Sequence, residues 1–300
     1  MSSTAVAKIP FYIVDVFAVG RYTGNQLAVF RNARSISQSH MQSIAKEMNY
    51  SETTFVLSDR KRDGGFDVRI FTPEEELPFA GHPTLGTAYI IMQEIIRKRA
   101  KVVLNLKVGK IPVTPAQDDE GHPMLWMKQN QPAFGKSVDS EQISSVLGVG
   151  LADVDRRFPS QVVSTGLPFL IVPLKSGSAV ARCKVSSEEY DRVMGTLSAK
   201  GILVFCAQPR DANNDLKARV LFGPNQGIAE DPATGSANGC LAAYLVEHLY
   251  FGKSDISVKV EQGFEVGRPS LLHLKANKEA KTIAVSVGGR CFMVAKGELA

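Results

Sequence analysis

Short apolar runs alternate with one amphipathic segment in the first part of the chain. The runs have the length and the β-branched and aromatic content of strands, and they predict strands at 10–17, 26–30, 54–57 and 66–71. After the second run, Met41, Ile44 and Ala45 fall at helical spacing and predict a helix over 37–49, capped by Ser37 or Ser39. The pattern therefore mixes α and β elements.

A second helix is predicted from about residue 84 to residue 99. Its first turns, TLGTAYIIM, are apolar on nearly every face. A helix without a polar face is normally buried on all sides. Strands are predicted after it, at 101–114 and 123–127. We therefore expect this helix to lie at the centre of its domain.

The second half of the chain repeats this order of elements. Its predicted elements are a helix at 141–148, a strand pair within 161–174, a helix at 187–198 and a strand at 201–206. The segment ARVLFGPNQGIAEDPATGSANGCLAAYLV then resembles VRIFTPEEELPFAGHPTLGTAYII, about 150 residues earlier. Alignment by eye places Phe71-Thr72-Pro73 on Phe222-Gly223-Pro224, Leu77 on Ile228 and, after a one-residue slip, Thr84 on Thr234.

This repeat predicts an α+β protein of two pseudo-symmetric domains. QNQPAFGK interrupts the strands and places the boundary near 125–135. The first domain is expected at 1–128, with Glu52 and the GHPT helix start. The second is expected at 129–300, with the DPATGS helix start, and the last strand is a candidate to return to the first domain.

Composition narrows the class of protein. The chain is 44% hydrophobic and 22% charged, as in globular proteins, and its net charge of +5 is spread thinly. It shows no signal core and no apolar run of membrane length, so we expect a cytoplasmic protein without a membrane or nucleic-acid partner. The four cysteines form no CxxC pair, and no GxGxxG, GxxxxGK[ST], GxSxG or HExxH motif occurs, so neither a metal site nor these cofactor motifs are supported.

Two helix starts carry the chemistry that the pattern favours. Small residues and proline open both the helix at Gly81 and the helix at Gly235-Ser236. Exposed N–H groups and the helix dipole make such ends anion sites, although ordinary helix termination explains either motif taken alone. Their occurrence at matching points of a repeat favours the anion site. If the two halves face each other, both ends would bind a carboxylate in one cleft.

Glu52, in SETTFVL, lies between a predicted helix and a strand. Such a carboxylate is either a structural hydrogen-bonding group or, when burial raises its pKa from about 4.3, a general base. The corresponding stretch of the second half, taken as 165–169 (TGLPF), has no carboxylate. We therefore expect one group to remove and return a proton on one face of a substrate.

Five segments, in order over nearly the whole chain, resemble the phenazine-biosynthesis isomerase (PhzF-like) family within the diaminopimelate epimerase-like fold. They are DVFAVGRYTGNQLAVF, SETTFVL, IFTPEEELPFAGHPTLG, EDPATGSANG and EQGFEVGRPS. The resemblance implies two domains, each a β-barrel-like sheet wrapped around a central helix. It also implies a homodimer, no cofactor and a small carboxylate-bearing substrate.

By position, the resemblance implies catalytic roles for Glu52, His82 and Asp231. It implies substrate contacts from Ser51, Gly81, Gly235 and Ser236. The family activity is isomerisation of trans-2,3-dihydro-3-hydroxyanthranilate, in which the glutamate moves a proton from C3 to C1. The histidine and the aspartate would then hold the amino and hydroxyl groups.

Two alternatives stay open. The first is an amino-acid epimerase or racemase that uses Glu52 with His82 or Asp231. The two-thiol epimerases of this fold carry cysteines at both helix starts, where this chain has AGH and DPA, and Cys240 lies deeper in its helix. The second alternative is a non-catalytic binding protein on the same fold.

Overall fold

The computed structural model describes residues 8–224 and 227–299. The chain divides into two compact units. Unit 1 contains the described residues up to Tyr22, Gln26–Met127 and the described residues from Arg290 onward, and unit 2 contains Thr23–Asn25 and Lys128–Gly289. In the part of the chain that is described, no helix has both the length and the apolar character needed to cross a bilayer.

Unit 1 is a sheet with one helix at its centre and one on its outside. Its strands are β1 (Ile9–Val16), β2 (Asn25–Arg31), β3 (Glu52–Val56), β4 (Phe66–Phe71), β5 (Glu76–Leu77), β6 (Val102–Leu106), β7 (Gly109–Gln117), β8 (Pro123–Lys128) and β18 (Cys291–Leu299). They pair in the order β18-β1-β2-β3-β4-β6-β7-β8, with β5 also on β4. The β2–β3 and β4–β6 pairs are parallel.

Helix α1 (Gln38–Met48) begins and ends as its sequence predicts. The Ser37 side chain accepts a hydrogen bond from the His40 N–H, which satisfies one of the first free donors of the helix. The buried residues of α1 pack on a row of aromatic rings from β2, β3 and β4, namely Phe30, Phe55 and Phe71. This cluster forms the outer core of unit 1.

Helix α2 (Gly81–Ile90) is buried along nearly its whole length, as predicted, and contacts β1, β3, β6, β7 and β18. It begins before residue 84, because Pro83 occupies the first turn, where a missing N–H costs nothing. It also ends before residue 99: a π-helical turn follows at Ile91–Ile95, and Arg97 has a left-handed φ of 50°. The predicted helix bounds 84–99 were therefore wrong at both ends.

Unit 2 has its own sheet and four helices among the described residues. Its strands are β9 (Ala133–Val138), β10 (Ser160–Ser164), β11 (Pro168–Pro173), β12 (Ile202–Cys206), β13 (Leu216–Leu221), β14 (Glu230–Asp231), β15 (Asp255–Gln262), β16 (Ser270–Glu279) and β17 (Thr282–Gly289). They pair in the order β9-β10-β11-β12-β13-β15-β16-β17, with β14 also on β13. The β11–β12 and β13–β15 pairs are parallel.

The helices of unit 2 are α3 (Ser140–Leu147), α4 (Gly177–Arg182), α5 (Ser187–Met194) and α6 (Gly235–Glu247). Helix α6 is the central one: all but its last residue are buried, and it contacts β10, β11, β12, β15, β16 and β17. Helices α3, α4 and α5 supply a second core of aliphatic side chains. Pattern analysis missed α4, which is too short to show a helical period.

The two units repeat one strand order with the same two parallel pairs. An arginine–glutamate pair recurs at the same place. Arg69 on β4 bonds Glu76 on β5 through both guanidinium edges, at 2.8 and 2.6 Å. Arg219 on β13 bonds Glu230 on β14 at 3.0 and 2.7 Å. This pair fixes which positions of the two units correspond.

The structural correspondence corrects the alignment made from sequence. The strand registers and the arginine–glutamate pairs place Phe71 on Leu221 and Leu77 on Asp231, not on Phe222 and Ile228. The loop at 222–229 is longer than the loop at 72–75, and this extra length shifted the alignment by eye. The segments ELPFAGH and EDPATGS then match without a gap, and Thr234 corresponds to Ala80, not Thr84.

Candidate active site

Glu52 is the first residue of β3, where the parallel register places it beside Leu27 of β2. Helix α1 ends at Met48, and the next residue, Asn49, has a left-handed φ of 52°. This turn directs the chain through Tyr50 and Ser51 into β3. The Glu52 side chain is 16% exposed, and Ser51 is half-buried. The carboxylate is therefore held on a strand end and largely removed from solvent.

His82 is the second residue of α2 and is 4% exposed. Burial lowers the pKa of His82 from 6.5 to about 3, and a hydrogen bond to the backbone of Gln26 opposes this shift only in part. The imidazole is therefore neutral at physiological pH.

The Nε2 atom of His82 lies 3.4 Å from the Oε2 atom of Glu52. A backbone hydrogen bond raises a histidine pKa when a ring N–H donates to the carbonyl, and within the described chain Nε2 makes no hydrogen bond. The Nδ1 atom therefore donates to Gln26, and Nε2 presents a lone pair toward Glu52. This contact is not an ion pair, since His82 is neutral.

A lone pair can share a hydrogen with the Glu52 carboxyl group only when that group is protonated. The same lone pair can instead accept a hydrogen bond from a substrate. The arrangement of Glu52 and His82 thus suits a carboxyl group that alternates between its two protonation states. The structure thus brings together two of the three residues to which the resemblance assigns catalytic roles.

Asp231 lies in unit 2, on β14, and is 5% exposed. Its Oδ1 atom accepts a hydrogen bond from Asn25 Nδ2 at 2.8 Å, and its Oδ2 atom accepts one from Thr234 Oγ1 at 2.5 Å. Asn25 Nδ2 also donates to the carbonyl of Ala233 at 3.0 Å. The carboxylate is thus held in one orientation by two donors.

Gly81 begins α2, and Gly235 and Ser236 begin α6; all three are buried. Among the described residues, no side chain caps either helix start. At α6 the candidate is Thr234, whose hydroxyl donates to Asp231 instead. The N–H groups of both helix ends therefore keep their capacity to bind an anion.

The cysteines are packed rather than placed for chemistry. Cys240 lies in the second turn of α6, where burial raises its pKa to about 11 and its Sγ atom contacts the Leu167 carbonyl at 3.4 Å. Burial also raises the pKa of Cys183 and of Cys291. Across residues 8–224 and 227–299, no group of three histidine, cysteine, aspartate or glutamate side chains is arranged to hold a metal ion.

Comparison with known proteins agrees with this architecture. A family model described as "Phenazine biosynthesis-like protein" matches residues 14–297. The chain belongs to this family. The trans-2,3-dihydro-3-hydroxyanthranilate isomerase of Pseudomonas aeruginosa is 32% identical to this PhzF-family chain over 290 residues, covering 96% of the chain and 98% of that relative.

Solved structures confirm the predicted fold class. A PhzF-family protein of Bacillus anthracis superposes with a TM-score of 0.90 at 24% identity, covering 98% of this chain and 100% of that one. A hydroxyproline epimerase of Agrobacterium vitis superposes with a TM-score of 0.64 at 9% identity, covering 98% of this chain and 92% of that one. These two likenesses concern the fold alone, whereas the relatives identify this PhzF-family chain as an isomerase.

Three polar residues around Asp231 were not singled out from the sequence. Thr234 was considered only as part of a helix start, and no role was assigned to Asn25 or Gln262. Each lies inside a segment that carries the family resemblance. An amide or hydroxyl side chain within such a segment was therefore the sequence feature that could have identified these residues. Polarity alone could not show which partner each of them bonds.

Proposed function

We propose that the chain catalyses an intramolecular proton shift on a small carboxylate substrate similar to trans-2,3-dihydro-3-hydroxyanthranilate, with Glu52 as the proton carrier. The observation that carries this proposal is the contact between the Glu52 carboxyl group and the lone pair of the buried, neutral His82. A general base works when it is positioned on a firm support and can hold a proton between two transfers.

The reaction is balanced within the substrate. The Glu52 carboxylate takes the proton from C3, which leaves the electron pair in the conjugated system, and the protonated carboxyl group returns that proton at C1. The product is an enol that tautomerises to the ketone. While Glu52 carries the proton, its O–H can donate to His82 Nε2, which stabilises the intermediate protonation state.

The remaining polar groups are proposed to bind rather than to transfer the C3 proton. While Glu52 is ionised, His82 and Asp231 accept hydrogen bonds from the amino and hydroxyl groups of the substrate; once Glu52 carries the proton, its O–H takes the place of the substrate donor at His82. Ser51 and the helix-start residues Gly81, Gly235 and Ser236 contact the substrate, and free N–H groups there suit its carboxylate. Cofactor independence and a homodimer are proposed from the family resemblance, and a cytoplasmic location is proposed from the sequence pattern.

The first test is the substitution Glu52→Gln. The amide keeps the size of the side chain but cannot carry the proton, so turnover of trans-2,3-dihydro-3-hydroxyanthranilate should fall by at least about 100-fold. The rate is measured by proton NMR, and circular dichroism checks that the fold is intact. The matched control is Glu47→Gln, which changes an exposed carboxylate of α1 and should leave turnover unchanged.

Three outcomes would contradict the proposal. Glu52→Gln activity within a few-fold of the wild type would remove Glu52 from the mechanism. In heavy water, deuterium exchange at one carbon together with formation of the opposite stereoisomer would instead indicate an epimerase. Complete inactivity of the wild type toward carboxylate and amino-acid substrates, with retained binding, would indicate a non-catalytic protein on this fold.

A further inference from the structure

A side chain outside the three implied catalytic residues holds the turn that carries Asp231. Gln262, the last residue of β15, donates from Nε2 to the Asp231 carbonyl at 2.8 Å and to Thr234 Oγ1 at 3.2 Å. Its Oε1 atom accepts from Asn238 Nδ2 at 2.8 Å and from the Thr234 N–H at 3.4 Å. Both ends of this amide are therefore engaged, and its orientation is fixed.

This orientation determines where the Thr234 hydroxyl proton points. An amide N–H can only donate, so Thr234 Oγ1 accepts from Gln262. The single hydroxyl proton is then left for Asp231 Oδ2, which lies 2.5 Å away. The chain of donors runs in one direction, from Gln262 through Thr234 to the Asp231 carboxylate.

The second donor to Asp231 depends on the same stretch of chain. Arg268 donates from Nε to the Gly24 carbonyl and from Nη2 to the Thr23 carbonyl, each at 2.9 Å. The Gly24 N–H donates to the Pro269 carbonyl at 2.9 Å. These bonds hold the backbone that presents Asn25 to Asp231 Oδ1.

Close packing keeps this stretch against the Asp231 turn. Gly263 has a φ of +80°, and a Cβ atom there would lie 2.4 Å from the carbonyl oxygens of Pro232 and Arg268. Only glycine adopts this conformation and this approach without strain.

We propose that Gln262 is a positioning residue that keeps the Asp231 carboxylate a hydrogen-bond acceptor by directing the Thr234 hydroxyl proton toward it. With a protein donor on each oxygen, the Asp231 carboxylate is kept in the state that accepts hydrogen bonds. It thereby selects substrates that carry an amine or a hydroxyl group. This inference rests on the proposed function for its consequence in catalysis, but the hydrogen-bond direction itself is testable without turnover.

The test is a thermodynamic cycle of Gln262→Glu and Asp231→Asn. A carboxylate at position 262 cannot donate, so it competes with Asp231 for the single Thr234 proton, and Gln262→Glu should lower Tm. Asp231→Asn alone should also lower Tm, because two donors then face Thr234. In the double variant the donors run in the opposite direction. The new amide at position 231 can donate to Thr234, and the Thr234 hydroxyl can donate to the new carboxylate at position 262. Its Tm should exceed that of Gln262→Glu by at least about 2 °C.

Two further readouts separate positioning from a merely structural role. The Tm loss of Gln262→Glu should shrink as the pH falls from about 8 to about 5, because the substituted carboxyl group becomes protonated and can donate again. The apolar control Gln262→Met should show no such recovery. In the isomerase assay, Gln262→Glu should raise KM about 10-fold with a smaller effect on kcat, and the double variant should stay impaired despite its recovered Tm.

Additive Tm losses in the cycle, or a loss in Gln262→Glu that does not vary with pH, would overturn the inference. Both results come from protein without substrate. They therefore stand whether or not the chain isomerises trans-2,3-dihydro-3-hydroxyanthranilate. A chain without that activity that still showed the coupling would contradict only the proposed function.

Discussion

The two units share one strand order but differ at the positions where chemistry is expected. The matched registers place Gly201 of unit 2 where unit 1 has Glu52. A Cβ atom at Gly201 would lie 2.9 Å from the Phe222 ring, so an aromatic side chain occupies the space that a carboxylate would need. Conversely, Asp231 of unit 2 stands where unit 1 has Leu77, whose side chain cannot accept a hydrogen bond.

The central helices differ in the same way. His82 is the second residue of α2, and Ser236 is the second residue of α6. The scaffold bonds are nevertheless retained: Thr84 donates to the N-cap carbonyl of Ala80 at 2.7 Å, and Asn238 donates to that of Thr234 at 3.0 Å. The comparison teaches that strand starts and helix starts can acquire different side chains while the hydrogen bonds that define the fold persist.

The largest expected difference in stability between the units comes from the arginine that both of them carry, Arg69 in unit 1 and Arg219 in unit 2. Arg219 is 10% exposed and also donates to the carbonyls of Val180, Ala181 and Cys183. Arg219→Met should therefore lower the free energy of unfolding by about 3–5 kcal/mol, because Glu230 stays buried without its partner. Arg69 is 24% exposed, and Lys107 still pairs with Glu76 at 2.8 Å, so Arg69→Met should cost about 1 kcal/mol.

Urea denaturation of the two variants measures this difference, with the unfolding slope m checked for each. Equal losses would show that the pair has the same role in both units. The carbonyl contacts of Arg219 would then carry no measurable stability.

A smaller effect on the free energy of unfolding is expected from His82, at the start of α2, where α6 has Ser236. The folded pKa of His82 lies below its unfolded value, so the unfolded chain binds more protons in acid and stability is lost as the pH falls below 6.5. The free energy of unfolding should drop by about 2 kcal/mol between about pH 7 and about pH 5 through this residue. His82→Gln should flatten that part of the pH profile.

The matched control is His248→Gln. His248 is half-buried, and burial lowers its pKa as well, but without the complete burial of His82. Its removal should change the slope less. A profile that His82→Gln leaves unaltered would contradict the assignment of a buried neutral imidazole at the start of α2.

The smallest difference concerns glycines inside the two central helices. A Cβ atom at Gly86 of α2 would lie 2.6 Å from Leu27 Cδ2 and 2.8 Å from Val16 Cγ2. Gly86→Ala should therefore cost about 1 kcal/mol, the overpacking penalty less the gain in helix propensity. A Cβ atom at Gly239 of α6 would meet Gln129 and Thr165 at 3.1 Å, and Gly239→Ala should stay within about 0.5 kcal/mol of the wild type. Thermal unfolding ranks the two, and the reverse order would contradict this packing difference.

The elements of the fold could be predicted from sequence where one local pattern decided them. Helix α1, for example, forms at Gln38–Met48 within the predicted range 37–49, with Ser37 as its N-cap. The correspondence between the units could not be predicted so closely. It depends on strand register. The stretch 165–169, taken as the counterpart of Glu52, leads into β11, whereas the strand that corresponds to β3 is β12.

The candidate site likewise contains residues that could be predicted from the sequence and residues that could not. Glu52 and His82 could be proposed together because both lie in segments that resemble one family, and the structure brings them within 3.4 Å. The partners of Asp231 could not, because Asn25 and Gln262 are distant along the chain and meet it only after the strands of unit 2 have paired. Hydrogen-bond direction in such a network follows from which donor and acceptor atoms the fold brings together.

Strand β18 gives the order of assembly an unusual constraint. It supplies the outer partner of β1, although all of unit 2 and most of unit 1 intervene between them along the chain. During synthesis, therefore, β1 must wait, with one sheet edge uncovered, until the ribosome has also delivered β18. Unit 2 can mature sooner, so the half that bears Glu52 is the later of the two to be finished.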